Sequence, residues 1–577
     1  MRRLPLLAGP REDSIRLTLR RIRGRVTRAG YAQGLRRVAG PFGPVVLAAV
    51  LVTSPSAAVP TPQQISVDAF TNSDGQHATA VEPDSFSFGN SVVAVFQLGR
   101  FVGGGAAGIG FATSHDGGRT WTSGVLPLPP SLDLASDPTI AYDRVHGVWI
   151  ASVLGGRVIP GDPPAITSSL LASRSGDGVA WTTSVMDPNP GHDKNWISCD
   201  NGVSSPRAGR CYVVWTGPAG GAAALVLSTS DDGGRAWSAP VGFGQIPAFG
   251  VIPLVRPDGT LVVVYATGEG SSARIEAVRS TDGGRSFSAP ARVALLRTHQ
   301  VQGLRVPAFH SAEIAQDGRI VVAWQDCRYR KGCGANDIVY ASSTDAQQWT
   351  TPLRVPTGRG LSGLDHVTPG LAVDSTTAGG RTALALAFYA LSPGGCAGPD
   401  CRYEPFFVSS PDNGRSWSTA ERLGGAAPAD WFPLAGGRFA GDYISTSFVE
   451  SGVAVPVFAW ATGPFDGRFH QGVYATAVPR LGAQPAVRLG TPHVRIATRL
   501  EVRASATPIA GARIACRAAV GRRSLKLLSA RLARGTAICV WRLTSRGRVT
   551  GSIVLAAPEG RASHMFTARV PKALRRA

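Results

Sequence analysis

The sequence predicts an all-β chain: an array of four-stranded blades closed into a propeller, followed by a small β-sandwich. Three observations predict it. A short turn pattern recurs six times along the chain. The runs between the turns are brief, rich in Val, Ala, Thr and Trp, and punctuated by 70 Gly and 42 Pro. No apolar stretch with a 3.6-residue period is long enough to found a helical bundle. At 577 residues the chain exceeds one ordinary domain, which leaves several units or one large repeat array.

The turn pattern reads Ser114-His-Asp116-Gly-Gly118-Arg-Thr-Trp121, Ser230-Asp-Asp232-Gly-Gly234-Arg-Ala-Trp237, Ser280-Thr-Asp282-Gly-Gly284-Arg-Ser-Phe287 and Ser410-Pro-Asp412-Asn-Gly414-Arg-Ser-Trp417. Two copies, Ser175 to Trp181 around Asp177 and Ser343 to Trp349 around Asp345, are one residue shorter after the Asp. This is the Asp-box. Its carboxylate is placed to accept backbone N–H groups, its Gly supplies the positive φ of a hairpin turn, and its aromatic ring packs between sheets.

The six aspartates stand 50 to 67 residues apart, room for a four-stranded antiparallel blade with its loops, and periods of that size mean a propeller. Each box follows the same order of strand, turn, strand, loop, strand. In the fifth copy this is Ala312–Ala315, a turn at Asp317-Gly318, Ile320–Trp324, a loop with Cys327 and Cys333, then Asp337–Ala341. After the sixth box, Asp442–Phe448, Ala454–Trp460 and Gly472–Thr476 read as three strands without a box. Gln64–Asp68 would supply the fourth and close the ring, so that no sheet edge stays open. The reading is seven blades over residues 59–482, with six as the alternative. Residues 486–577 have lost the period and show alternating runs, Val494–Leu500 and Ser552–Leu555, which read as an immunoglobulin-like β-sandwich pinned by one cysteine pair.

The first 37 residues hold eleven Arg against Glu12 and Asp13, and the apolar run Pro44–Val52 precedes Ser56-Ala57-Ala58. That is a signal-peptide layout over residues 1–58 with a long basic n-region, too short in its apolar run to span a bilayer, with cleavage expected after Ala58. Eight cysteines fall as near neighbours, Cys199 with Cys211, Cys327 with Cys333, Cys396 with Cys401 and Cys516 with Cys539. Neither Cys-x-x-Cys nor clustered His spacing occurs, so four local disulfides and no metal site are expected, in a secreted or cell-wall-associated protein.

The net charge of +21 suggests a nucleic-acid binder until it is partitioned. Residues 486–577 carry 17 Arg and 2 Lys against Glu501 and Glu559, a net +17, and the leader carries +9, which leaves the middle of the chain at −5. No nucleic-acid partner is expected. The basic C-terminal module would favour an anionic wall polymer by charge density. Its competing explanation is coding bias, since the chain has 55 Arg and four Lys.

In an up-and-down blade the boxes lie at one face, so ligand chemistry belongs to the opposite rim. The rim loops supply Glu82, Arg100, Asp137, Asp193, Lys194, Glu269, His310, Asp326, Arg328, Asp365, His366, Arg402, Asp442 and Tyr443. Two expected disulfides, in the loops of Cys327 and Cys396, brace that same rim.

The boxes within an exported propeller resemble the sialidase superfamily, over roughly residues 60–480, as a divergent member. The resemblance implies three arginines clamping a substrate carboxylate, a Tyr nucleophile backed by a Glu, and an Asp general acid. A Tyr avoids the repulsion that a carboxylate nucleophile meets from an anionic sugar. Carried onto this chain, Tyr443 is the nucleophile, Glu313 its partner, Asp137 the acid, and Arg328 and Arg402 two members of the clamp. Arg100 is the only arginine between residue 59 and the first box, and the family's opening Phe/Tyr-Arg-Ile-Pro motif is absent. Asp326 and Asp442 complete the substrate-binding set. Each has a structural alternative: Asp137 and Asp442 as turn caps, Tyr443 as channel filler, Arg328 as the ion-pair partner of Asp326. The expectation is a monomer without cofactor that binds a glycan or envelope polymer and hydrolyses it as a sialidase-like glycosidase, against a non-catalytic recognition or adhesion propeller.

Overall fold

Turn chemistry sets the fold. The computed structural model describes residues 60–577, apart from 160–164, 220–221, 245–247, 393–395, 397–399, 480–488, 490, 507–512, 534–535, 544, 558–559 and 571–577. The expected leader, 1–58, lies outside the described residues. Up to Ala475 the strands fall into antiparallel sets of four. The first is Gln76–Phe88, Ser91–Arg100, Ala106–Ser114 and Thr122–Val125, paired in chain order. Five further sets repeat it, with innermost strands Leu134–Asp143, Asp193–Cys199, Ala248–Val255, Ser311–Ile314 and Asp365–Val373. The described residues hold no α-helix, only short 3-10 turns.

The six Ser-x-Asp turns join the third and fourth strands of their sets. In the first, Asp116 Oδ1 accepts from the N–H of Arg119 at 3.0 Å and Thr120 at 2.9 Å, while Ser114 Oγ accepts from Gly118 N at 2.9 Å. The same bonds recur at Asp232, Asp282 and, in shorter form, Asp177 and Asp345. At Asp412, Ser416 N donates to Oδ1 at 2.7 Å. These bonds hold the carboxyls of Asp116 and Asp177 at about 2. The shorter copies need the left-handed conformation all the same: Gly178 has φ +76° and Ala346 takes the position at +59°.

Each such turn packs on the preceding set. Thr113 Oγ1 donates to Gly178 O, Arg174 to Gly233 O, and Tyr340 OH to Gly414 O at 3.0 Å. The first turn has no preceding box set, and a Cβ added at Gly118 would stand 3.1 Å from Val455. Val455 belongs to a final set without a box: Ser445–Phe448, Ala454–Phe465 and Arg468–Ala475. Its fourth strand is Gln63–Gln64, from the start of the described chain, paired as Gln63 with Ala475 and Gln64 with Tyr474. The innermost strands pack on one another in chain order, and Ser445–Phe448 packs back on Gln76–Phe88. There Ser85 Oγ bonds Ser445 Oγ and Ser447 Oγ, each at 2.9 Å.

The core lies between successive sets rather than at one centre. Ile150, Leu170, Val213 and Trp215 form one such layer, and Ile65, Val92, Phe96, Val455 and Val473 form the layer where the chain's two ends meet. Val and Ile on both faces suit strands covered on both sides.

Beyond residue 489 the chain builds two four-stranded sheets. One orders His493–Ile496, Arg499–Ser505, Thr536–Arg542 and Leu527–Ala533; the other orders Arg523–Ser524, Arg513–Val520, Gly547–Ala557 and Gly560–Val570. They share a core of Leu500, Val502, Trp541, Ile553, Leu555 and Phe566. The alternating run Val494–Leu500 is divided between two strands: Ala497 N donates to Arg499 O at 3.0 Å and the chain turns back there. Strand alternation puts Arg499 and Arg503 outside and Leu500 and Val502 inside.

All four expected disulfides are present: Cys199–Cys211, Cys327–Cys333, Cys396–Cys401 and Cys516–Cys539. The last joins the two C-terminal sheets. No helix among the described residues is long and apolar enough to cross a membrane.

Candidate functional site

One irregularity recurs in the innermost strands. Pairing with the second strand slips between Val81 and Asp84, Ser136 and Thr139, Asp193 and Trp196, Phe249 and Ile252, and Val367 and Gly370. Within each slip one residue adopts positive φ: Glu82 at +52°, Asp137 at +46°, Lys194 at +53°, Gly250 at +62° and Thr368 at +51°. Glycine takes that conformation freely, but the other four do so against a steric cost, and such strain clusters at functional sites. In the final set Gly441, at φ +112°, precedes Asp442 in the corresponding approach. The slips lie toward the ends of the innermost strands remote from the Ser-x-Asp turns: Phe88 pairs with Ser91 beside the turn after Ser114, whereas Gln76 pairs with Arg100 at the far end.

Four carboxyl groups and three cations meet there. Lys194 Nζ stands 3.4 Å from both Asp137 Oδ2 and Asp442 Oδ2, and 3.9 Å from Asp193. Arg305 grips Asp442 with two bonds, Nε to Oδ1 at 3.0 Å and a terminal nitrogen to Oδ2 at 2.6 Å. Glu82 accepts from the backbone N–H of Asp442 at 3.1 Å and from the Gln97 amide, whose oxygen takes a bond from Arg100 at 2.7 Å. Ser136 Oγ donates to Asp137 Oδ1 at 2.7 Å. Arg100 and Arg305 both lie over the Phe439 ring, 4.7 and 4.6 Å from its centroid. Glu82, Arg100, Asp137 and Asp442 are buried, while Lys194 and Arg305 reach solvent with 18% and 34% of their side chains exposed.

This environment separates the carboxyls. Burial, then the charges of Asp442 and Asp137, push Glu82 up to about 7, with Arg100 and Lys194 offsetting part of the rise. Burial acts on Asp137 too, but Lys194 beside it, with Ser136 and Arg100, holds it below the usual carboxylate range. Burial disfavours the charged amine of Lys194, yet Asp137, Asp442 and Glu82 keep it protonated well past its ordinary range. One carboxyl able to carry a proton at neutral pH beside one that stays ionised is an arrangement fit for acid–base chemistry.

A cavity of about 90 Å³ is lined by Asp84, Trp196, His310, Glu313, Tyr443 and Ser445, among others. Burial raises Asp84 to about 7 and Glu313, facing it, to about 8. Tyr443 is 4% exposed, donates its hydroxyl to Pro138 O at 3.2 Å, and packs edge-on against Trp196. Burial, with Glu82 and Asp137 nearby, raises this phenol well above its ordinary value.

The structure therefore brings Arg100, Asp137 and Asp442 together and sets Tyr443 just beneath them. Glu313 lines the cavity with Asp84 and Tyr443, while the Tyr443 hydroxyl is taken up by Pro138. Arg328 forms a two-bond pair with Asp326, at 2.8 and 2.7 Å, with Trp324 Nε1 donating to the same carboxylate at 3.0 Å. Arg402 begins a third strand, its N–H bonded to Ser392 Oγ at 3.1 Å and its guanidinium to Cys401 O at 3.2 Å. None of these bonds reaches the seven-charge cluster. Arg305 and Gln97 belong to it and were not among the rim residues read from sequence. Among the described residues no set of three or more His, Cys, Asp or Glu is arranged to hold a metal ion.

Neither a protein-family model nor a curated protein matches the sequence. Solved structures that resemble the chain include the Trypanosoma rangeli sialidase in complex with sialic acid, at 10% identity and TM-score 0.41, over 91% of this chain and 90% of that one. A polysaccharide lyase, an ulvan lyase, matches at 11% identity and TM-score 0.39, over 71% of this chain and 96% of its own. The leech intramolecular trans-sialidase matches at 13% identity and TM-score 0.35, over 74% and 70%. At identities and scores this low the likenesses carry no argument for a shared activity.

Proposed function

We propose that this chain is an exported, sialidase-like propeller of seven blades, six of them carrying an Asp-box, followed by a basic β-sandwich, and that it binds a glycan at the channel mouth. The ring of four-strand sets, completed by Gln63–Gln64, supports the blade count. The two C-terminal sheets with a shared core and a disulfide between them support the sandwich. Four disulfides suit an oxidising compartment.

A single observation carries the binding site: the innermost-strand bulges aim Glu82, Asp137 and Lys194 at one place, joined by Asp442 and Arg305. Lys194 and Arg305 are the partly exposed cations, standing beside the exposed carboxylate of Asp193, and they suit an acidic sugar. A second reading, hydrolysis, is favoured by the split between Glu82 and Asp137, which supplies a proton donor and an ionised partner without the Tyr443 hydroxyl. Recognition is the stronger of the two, because these side chains are already bonded to one another.

Binding to an array of acidic and neutral glycans tests the first reading; Lys194→Met should reduce retention of acidic members at least tenfold, and retention unchanged in that variant would overturn it. A fluorogenic glycoside panel that includes sialosides tests the second. Turnover should fall about 10²-fold or more in Glu82→Gln and survive in Tyr443→Phe. The reverse pattern would restore the tyrosine mechanism. The exposed arginines of the C-terminal module, Arg495, Arg499, Arg503, Arg513 and Arg517 among them, suit an anionic wall polymer. Retention on an anionic resin that ~0.15 M salt abolishes would argue against such a tether.

A further inference from the structure

The seam where the chain's two ends meet contains a second cavity. The innermost strand of the first set slips between Gln76 and Ala80, with Ala78 at φ +56°. The displaced backbone and two alanine methyls leave a space of about 190 Å³ against the final set, bounded by Gln64, Ser66, Asp68, Ala78, His470 and Gln471. Liquid water occupies ~30 Å³ per molecule, so the space holds roughly six waters or one sugar ring, and is below the size of a drug-like pocket.

Its chemistry is one-sided. Gln471 is 2% exposed; its amide nitrogen donates to Phe439 O at 3.1 Å, but its amide oxygen has no partner among the described residues. A buried acceptor left unbonded is costly, and Gln471 lines the cavity. Asp68 adds a carboxylate, bonded to Phe70 N and Thr79 N at 3.0 and 3.3 Å, which disfavours an anionic guest. Beside it, the hairpin through Asp466 and Gly467 carries Phe465, 73% exposed, its ring 6.2 Å from that of His470 at an interplanar angle of 61°. An aromatic face beside a cavity lined by Gln64, Ser66, Asp68 and Gln471 fits a ring that is apolar on one side and rich in hydroxyls at its edge.

We infer that this seam is a second carbohydrate subsite that takes a neutral hexopyranose unit. The inference rests on the glycan-binding reading above and extends it. Phe439 links the two places, accepting from Gln471 through its carbonyl while its ring lies under Arg100 and Arg305. The acidic unit of a mixed glycan belongs at the mouth and its neutral neighbour at the seam.

Saturation-transfer NMR on the full chain, with the methyl glycosides of glucose, galactose and N-acetylglucosamine, tests this directly. At least one neutral glycoside should give a signal that drops fivefold or more in Phe465→Ala and in Gln471→Leu and is unchanged in Lys194→Met. Phe465→Ala alters an exposed side chain, so its folding is not at issue, and near-UV circular dichroism checks Gln471→Leu. No signal from any neutral glycoside, or a signal unchanged in both variants, overturns the subsite. A seam signal that behaves as expected while the array shows no Lys194-dependent retention overturns the mouth reading and leaves the seam site standing.

Discussion

Replacing Asp84 by Asn should stabilise the protein at alkaline pH and do little in acid. Asp84 is 6% exposed, and its Oδ2 accepts from Ile140 N at 2.9 Å, a bond that an amide oxygen can keep. Burial raises its carboxyl from 3.8 to about 7. Because the folded state holds this proton more tightly than the unfolded one, stability from this group is fully present below pH ~4 and is lost as pH rises through about 7. At ~1.4 kcal/mol for each tenfold change in proton affinity, the loss is roughly 4 kcal/mol, an upper figure because water entering the channel would soften it. Unfolding entropy near 2.1 cal/mol/K per residue gives roughly 0.9 kcal/mol/K for a domain of ~420 residues, so Tm should rise by about 4 °C at pH 9. Relief of Glu313, which Asp84 also pushes up, acts in the same direction. Calorimetric scans of both proteins from pH 4 to 9 provide the assay. An Asp84→Asn protein whose Tm lies below the parent's at pH 9, or whose difference from it does not change with pH, would show that the carboxylate is stabilised in the channel and refute the reasoning.

Three further outcomes follow from the geometry. Asp116→Ala removes the acceptor for Arg119 N, Thr120 N and Thr120 Oγ1; in an exposed turn this should cost about 1–2 kcal/mol, read as a Tm loss of ~1–2 °C by scanning fluorimetry. Arg305→Met leaves buried Asp442 with Lys194 as its remaining cation. With the arginine one-third exposed the cost should be about 1–3 kcal/mol, together with loss of acidic-glycan retention on the array. Replacing Cys516 and Cys539 together by Ser opens a bridge of sequence separation 23, which should destabilise the two C-terminal sheets by about 3–4 kcal/mol, read by scanning calorimetry.

Strand order was legible in the sequence because the Ser-x-Asp turns announce it: a carboxylate, a left-handed residue and a ring at fixed offsets can do little else. The last set was legible only through its hydrophobic runs, since Asp442–Phe448 and its two successors have no turn motif to mark them. The site was half legible. Arg100, Asp137 and Asp442 stand at strand ends that the pattern located, so their convergence could be anticipated. Arg305 lies between Leu295 and Ser311, a stretch with no strand of its own, and nothing local ties it to Asp442, which is 137 residues away. One signal could have narrowed the search. Glu82, Asp137 and Thr368 each precede a proline in an innermost strand, where a ring nitrogen cannot join the ladder, and that marks a bulge. Arg328 shows the opposite limit: an Arg two residues from an Asp on a short loop pairs locally before it can serve a distant ligand.

The pairing of Gln63–Gln64 with Tyr474 and Ala475 also constrains how the molecule must form. Ile65 N donates to Val473 O and Val473 N to Ser66 Oγ, contacts whose partners lie more than 400 positions apart along the polypeptide. Loop closure over that distance comes late, because its entropy must be met before the contact returns any stability. Until then the sheet containing Arg468–Ala475 presents a raw edge, so the nascent chain is most prone to self-association in the interval between Arg468–Ala475 emerging and Gln63–Gln64 docking on it.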